Sequence, residues 1–422
     1  MKNYPELCMS IVCIPRADES RIIFSLSQAK NAGASFHLWE ELYISNPGPA
    51  FRGRIPTDKE VGCNLIGHAT SYGYKDVISF LHREGISVNA VADTECRTLP
   101  PLFVALAQGQ GELATHLLEL GALPAPYTRA RTALHIAAAM ALPKIVRHLA
   151  QKSIDVDVED ENGDTPLVYA VASRHATKEI VALLASLGAD VNQMTLFKGK
   201  NISLLGLACA LRQWYLACQL LDCKADSNSR SGIYEGQSLP LELACRAQEL
   251  GEPREALLAR RELIAKLLHH GANPFVQTGH GCSKKPLLAW LIENGHEWEA
   301  KCLIHCTRIN TEQVDALGQS AIGYALSMQY GSPALAKLLL ERGAQPSNIL
   351  IEDIRRVAQR VRKSNKRKIL QEHPKLQDIC GLLLDHYTSR SSEGLYPGLI
   401  QCLGRAIKIL SRARLTRKSC IP

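Results

Sequence analysis

Residues 132–137 read Thr132-Ala133-Leu134-His135-Ile136-Ala137, and Lys144-Ile145-Val146-Arg147-His148-Leu149 follows them. The pattern returns as Thr165-Pro166-Leu167-Val168-Tyr169-Ala170, then Glu179-Ile180-Val181-Ala182-Leu183-Leu184, and closes on Gly188-Ala189-Asp190-Val191-Asn192. Ala137 and Ala170 stand 33 residues apart. Self-similarity at such a period is the signature of stacked repeats. The apolar residues of 179–184 follow a helical period. Thr165 suits an N-cap, and Pro166 suits the first helical turn, where its missing N–H costs nothing. Gly188 supplies the left-handed conformation that closes a helix, and Asn162-Gly163 favours a tight turn ahead of the unit. Each unit therefore reads as two short antiparallel helices joined to the next by a hairpin tip.

Sliding this template along the 422 residues recovers anchors at Ala69, Ala105, Ala137, Ala170, Ala208, Ala244, Trp290 and Ala325. The gaps are 36, 32, 33, 38, 36, 46 and 35 residues. Matching helix-ending turns occur at Gly121-Ala122, Gly271-Ala272-Asn273-Pro274 and Gly343-Ala344-Gln345-Pro346. The chain thus resembles an ankyrin-repeat protein over residues 63–350. Residues 132–137 fit the T-P-L-H-x-A signature with Ala133 in place of Pro, and 165–170 keep Thr and Pro with Val168 in place of His. The copies at 64–69 and 285–290 are degenerate. The resemblance implies an all-α ankyrin-repeat solenoid of about eight to nine helix-turn-helix units with short hairpin turns. It also implies that His135 binds the turn backbone rather than serving as a base.

Three segments are expected: an N-terminal helical cap and loop at 1–62, the repeat array at 63–350, and a degenerate capping repeat with basic helices at 351–422. Residues 20–34 end on Gly33-Ala34 like a second helix, 36–44 read as a short amphipathic helix, and Pro47, Pro49 and Pro56 mark a loop. Residues 351–361 and 376–387 read as the helices of a ninth unit, and 395–414 as a final helix. Residues 248–261 read as a lengthened loop or an extra helical turn. Residues 195–202, with Lys198-Gly199-Lys200, lengthen a finger-like hairpin. Insertions of this kind map to loops and sometimes to the binding face.

The composition is 46% apolar, 5% aromatic and 21% charged, which excludes a disordered chain. No uncharged apolar run approaches the roughly 18 residues of a membrane span. The apolar run at 7–14 lies between Pro5-Glu6 and Pro15, which does not suit a signal-peptide core. The 14 cysteines include no CxxC pair, so reduced thiols and a cytoplasmic or nuclear location are expected. Phosphate-binding glycine loops, nucleophile elbows and metalloprotease or kinase signatures are missing, so neither enzyme nor cofactor is expected. Cys209 and Cys245 each follow an anchor alanine and read as small core residues. His296, Cys302, His305 and Cys306 form the strongest metal-type grouping, with two thiols four apart on a helix. Yet Cys302 aligns with Ala182 and Cys306 with Ser186, ordinary repeat positions, and no metal is expected.

The formal net charge of +8 is unevenly placed. Residues 351–422 hold 16 Lys or Arg against 6 Asp or Glu, whereas 1–350 hold 33 against 35. Arg355, Arg356, Arg360, Arg362, Lys363, Lys366, Arg367 and Lys368 form one basic segment; Arg405, Lys408, Arg412, Arg414, Arg417 and Lys418 form a second. The readings are a solvated helical face, or an import signal in which Arg355-Arg356 and Lys366-Arg367-Lys368 flank a spacer. Nucleic acid or an anionic membrane is less favoured, because no interleaved aromatics offer base stacking. Ile407, Leu410 and Leu415 keep adsorption of the last helix to a membrane surface open. The opposite sign crowds one turn, at Asp155, Asp157, Glu159, Asp160, Glu161 and Asp164. This finger is either a soluble loop or a contact for a basic patch on a partner or on the chain's own C-terminal segment.

The function expected is a non-catalytic protein–protein scaffold, monomeric, holding a partner protein on the concave repeat surface. The finger-tip positions expected to touch it are Arg129, Arg131, Asp160, Glu161, Asn162, Lys198, Lys200, Gln319 and Ser320. One alternative is a substrate-recruiting adaptor of a ubiquitin ligase. Tyr4-Pro5-Glu6-Leu7 resembles the start of an F-box, and the region around Cys402 resembles a SOCS box, with Gly398 where that box has Leu. Another alternative is a nuclear regulator tethered by the basic C-terminal segment.

Overall fold

The computed structural model describes residues 18–32, 65–89, 99–124, 131–152, 154–232, 238–247, 253–278, 285–306, 310–327, 331–363, 373–389 and 397–418. The chain divides into two compact units, Met1–Ala225 and Asp226–Pro422.

The first unit opens with α1 (Glu19–Asn31). Five helix pairs follow: α2 (Leu65–Tyr72) with α3 (Lys75–Arg83), α4 (Pro101–Ala107) with α5 (Gly111–Glu119), α6 (Ala133–Ala139) with α7 (Pro143–Gln151), α8 (Pro166–Ala172) with α9 (Lys178–Ser186), and α10 (Leu204–Ala210) with α11 (Trp214–Asp222). First helices pack on first helices from α2 through α10, and second helices pack on second helices from α5 through α11. The fifth residue of each first helix makes the close approach possible. Ala69, Ala105, Ala137, Ala170 and Ala208 are all fully buried. Short side chains there let neighbouring helices meet without a void. α1 behaves as the expected second half of a repeat. It packs on α3, and Glu19 accepts hydrogen bonds from the Asp76 and Val77 amides at the N-terminus of α3, at 2.6 and 3.1 Å. The helix expected at 36–44 lies outside the described residues.

The insertion before α10 is a two-stranded finger. β1 (Met194–Phe197) and β2 (Lys200–Ser203) pair antiparallel with Phe197 opposite Lys200. Lys198 (φ 52°) and Gly199 (φ 75°) form its two-residue turn, and positive φ at both positions suits the twist of a hairpin.

The second unit contains α12 (Pro240–Arg246) with α13 (Arg254–His269), β3 (Gln277–Thr278) paired with β4 (Lys285–Pro286), α14 (Leu287–Glu293) with α15 (Glu297–His305), and α16 (Ala321–Ala325) with α17 (Pro333–Glu341). It ends in α18 (Asn348–Lys363), α19 (Leu376–Ser389) and α20 (Pro397–Lys418). α19 packs on α17 as a second helix should, and α20 packs on both α18 and α19. Leu399, Leu403, Ala406 and Leu410 of α20 are buried at helical spacing. Leu410 therefore serves this packing rather than a free apolar face.

Two expectations change here. The seventh anchor is Leu291, which is fully buried, and not Trp290, which is half-exposed. Pro286 is the N-cap of α14 rather than its first residue, so the unit runs one residue late. The loop between α14 and α15 is shorter than that between α8 and α9, so, counted along the second helices, Cys302 and Cys306 occupy the positions of Leu183 and Leu187. The segment at 248–261 resolves as helix over its described part: α13 has 16 residues where the other second helices have 9, with extra turns at its N-terminus. That length buries Arg260 completely, in an ion pair with Glu299 of α15 at 3.1 Å.

Candidate protein-interaction surface

The fingers of the first unit are held side by side by a small set of side chains. His135 caps its own helix through Nδ1, which accepts from the Thr132 amide at 3.1 Å, and its Nε2 donates to the Asp164 carbonyl of the next finger at 3.0 Å. Both ring nitrogens are satisfied by the neutral tautomer. Burial holds its pKa below the ordinary histidine value, against the pull of the Asp164 carbonyl. His135 is a structural pin, as the resemblance implied. Asp157 accepts from the Asp190 amide at 3.1 Å, and the Thr195 hydroxyl donates to Asp164, which binds the fourth finger to the fifth.

Asp160 organises the fourth finger. Its Oδ1 accepts from the amides of Asn162 and Asp164 at 2.8 and 3.0 Å, and its Oδ2 accepts from the Tyr169 hydroxyl at 2.7 Å. Burial raises its pKa, but the Tyr169 hydroxyl and the two amides outweigh it and leave the carboxyl below its ordinary value. Burial and the Asp160 bond push the Tyr169 phenol up to about 12. The Arg131 guanidinium, from the preceding finger, lies over the Tyr169 ring at 5.0 Å.

The same device recurs in the second unit. Asp315 Oδ1 accepts from the Leu317 and Gln319 amides, both at 2.8 Å, and its Oδ2 accepts from the Tyr324 hydroxyl at 2.6 Å. Lys285 lies over the Tyr324 ring at 5.0 Å and pairs with Glu293 at 2.8 Å. Lys285 and Arg131 occupy equivalent positions, each two residues ahead of its first helix. In the repeat that Lys285 opens, Trp290 carries Arg246 over one face at 5.7 Å and stacks on His296 at 5.3 Å, and Arg246 pairs with Glu242 at 2.9 Å. Tyr169, Trp290 and Tyr324 all fall at the fourth residue of a first helix. None of the three was singled out as a contact residue by sequence reasoning. The repeated spacing Asp160-Gly163-Tyr169 and Asp315-Gly318-Tyr324 was the available signal.

Of the expected finger residues, Arg131, Glu161, Asn162, Lys198 and Lys200 stand exposed in the first unit. Asp160 is half-buried with its carboxylate committed to the turn. Gln319 and Ser320 are half-buried in the second unit, the latter as the N-cap of α16. Arg129 lies outside the described residues. Asp155, Asp157 and Asp164 of the acidic finger accept structural hydrogen bonds, whereas the exposed Glu159 and Glu161 at its tip have no such role among the described residues; Asp155 is exposed as well. In the basic segment, Arg355 and Arg356 pair with Glu352 and Asp353 of the same helix at 3.5 and 3.4 Å. The side chains of Arg360, Arg362 and Lys363, and the whole of Lys366, Arg367 and Lys368, lie outside what is described.

Burial pushes the Cys209 thiol up to about 12 and raises Cys245 further, consistent with core packing rather than nucleophilic use. Among the described residues no three His, Cys, Asp or Glu side chains converge as metal ligands, and no helix is long and apolar enough to cross a membrane.

A family model described as ankyrin repeats (three copies) matches residues 123–195. Among curated proteins, mouse ankyrin repeat and SOCS box protein 16 is 28% identical over 243 residues, covering 48% of this chain and 50% of that protein. The chain therefore spans about half the length of that relative.

Proposed function

We propose, from the premise that this chain is an ankyrin-repeat protein, that it is a non-catalytic scaffold holding a partner protein against its fingers and the exposed positions of its first helices. Ankyrin repeats make protein–protein contacts, and their surface residues vary without disturbing the stacked core. One observation carries the reading. In two first helices whose other faces are buried, the fourth residue is the half-exposed Tyr169 or Trp290, each under a cation from the preceding repeat, an arrangement that the buried Tyr324 repeats beneath Lys285. Tyr, Trp and Arg are the residue types that dominate binding hot spots. Proximity labelling with the full chain and with an Arg131→Glu/Trp290→Ala variant tests it. Loss of the labelled partners from the variant supports the reading, and an unchanged partner set contradicts it.

A second reading, an adaptor that recruits substrates to a ubiquitin ligase, is favoured by the SOCS box in the name of the mouse relative. In that reading the repeats take the substrate and the C-terminal helices take the ligase. Removing residues 390–422 then abolishes labelling of ligase subunits while the array's partners persist. Labelling of ligase subunits that survives the deletion contradicts it.

A further inference from the structure

The third, fourth and fifth fingers of the first unit alternate in charge. Arg131 stands exposed on the third, Glu159 and Glu161 on the fourth, and Lys198 and Lys200 on the fifth. The fingers are fixed in this order by the bonds His135 to Asp164 and Thr195 to Asp164. The turn of the fourth finger runs through Asp160, so its two glutamates are not consumed by the fold. Beside the lysines, Met194 and Leu196 leave 48% and 60% of their surface exposed. Residues two apart on a strand share a face, so these two form a single apolar patch on β1.

We infer that this row of fingers reads an extended peptide segment of a partner protein carrying the complementary pattern acid, base, acid, with an apolar residue beside one of the acids. The inference rests on the scaffold reading above and names the chemistry of its partner. The spacing follows from packing. Stacked helices lie roughly 8–10 Å apart and an extended chain advances about 3.3 Å per residue, so successive charges fall about three residues apart. The pattern is symmetric, so it fits a segment running in either direction, and the apolar patch at the fifth finger sets which. A uniformly basic or acidic partner meets repulsion at one finger or two, which is a means of rejecting it.

The test uses the full chain on an array of immobilised nine-residue peptides, with Glu, Lys and Glu at positions 2, 5 and 8 and Leu at position 9. Comparators carry the reversed signs, or the same composition with the charges adjacent. Three exposed pairs predict roughly tenfold stronger retention of the matched register. The variant Glu159→Lys/Glu161→Lys, checked for native helix content, shifts the preference to an acid at position 5. Equal retention of all registers overturns the inference, as does a preference that the variant leaves unmoved. If the array shows no register preference while Arg131→Glu/Trp290→Ala still removes labelled partners, the peptide inference fails and the scaffold reading stands. If neither responds, both fall.

Discussion

Replacing Glu299 by Ala removes the carboxylate at 3.1 Å from the guanidinium of Arg260, which has no exposed surface and also donates to the Ala244 carbonyl at 3.4 Å, in the core of the second unit. At an effective dielectric near 20, unit charges separated by the observed 3.1 Å attract by about 5 kcal/mol. Desolvation offsets much of this gain in the intact pair, but it is left uncompensated when one partner goes. The expected loss is about 3–5 kcal/mol. Replacing both residues, Arg260→Met with Glu299→Leu, removes the charges together and is expected to cost little or to stabilise. The exposed pair Arg356–Asp353, with side chains 65% and 51% accessible, provides the control, worth below about 1 kcal/mol. Urea unfolding of the full chain, followed by the fluorescence of its four tryptophans, of which Trp290 on α14 and Trp298 on α15 lie in the second unit, reads these effects. At a slope of about 2 kcal/mol per molar urea, Glu299→Ala lowers the midpoint of that unit by roughly 2 M. A shift no larger than that of Asp353→Ala would refute the claim that the buried pair organises α13 against α15.

Other outcomes follow from the same structure. His68, His135 and His296 all have pKa values lowered by burial, so the unfolded chain binds more protons near neutrality. Their contribution is present above the unfolded value of about 6.5 and is lost as the pH falls below it, so midpoints measured from pH 7.5 to 5.5 should decline, and less steeply in His135→Gln. Tyr324→Phe deprives a buried carboxylate of its hydroxyl donor and should cost about 1.5–3 kcal/mol, with Tyr169→Phe equal or smaller because that residue is more exposed; equal stability to wild type in both would remove the clamp from the account. Gly188→Ala, at φ 99° where α9 ends, should cost about 1 kcal/mol, whereas Gly404→Ala inside α20 should stabilise by roughly 0.5–1 kcal/mol, since nothing lies within 4 Å of the added methyl.

Much of the fold was legible because a stacked repeat must place a small residue at one position per unit. Ala69 through Ala244 and Ala325 announced it, and the same logic located the hairpin at Lys198-Gly199. It slipped by one residue at 285–290 because proline is tolerated both as N-cap and as first helical residue. Pro286 imitates the signature from the wrong side, and Trp290 was read as core when it faces outward. The 248–261 stretch was ambiguous between loop and helix, since a buried arginine looks polar until its partner on another repeat is known. The surface was less readable. Glu161, Asn162 and Lys198 follow from their place at turns. The service of Asp160 to its own turn, and the stacking of Arg131 on Tyr169, depend on contacts across neighbouring repeats that no local window contains.

Hydrogen exchange of the full chain with and without a partner recovered by proximity labelling tests the central claim most directly. The account predicts partner-dependent protection in fingers and first helices, at residues 131–136, 159–169 and 194–203 of the first unit or 285–291 and 314–325 of the second. Protection confined to residues 351–422, with these segments exchanging as in the free chain, would contradict it.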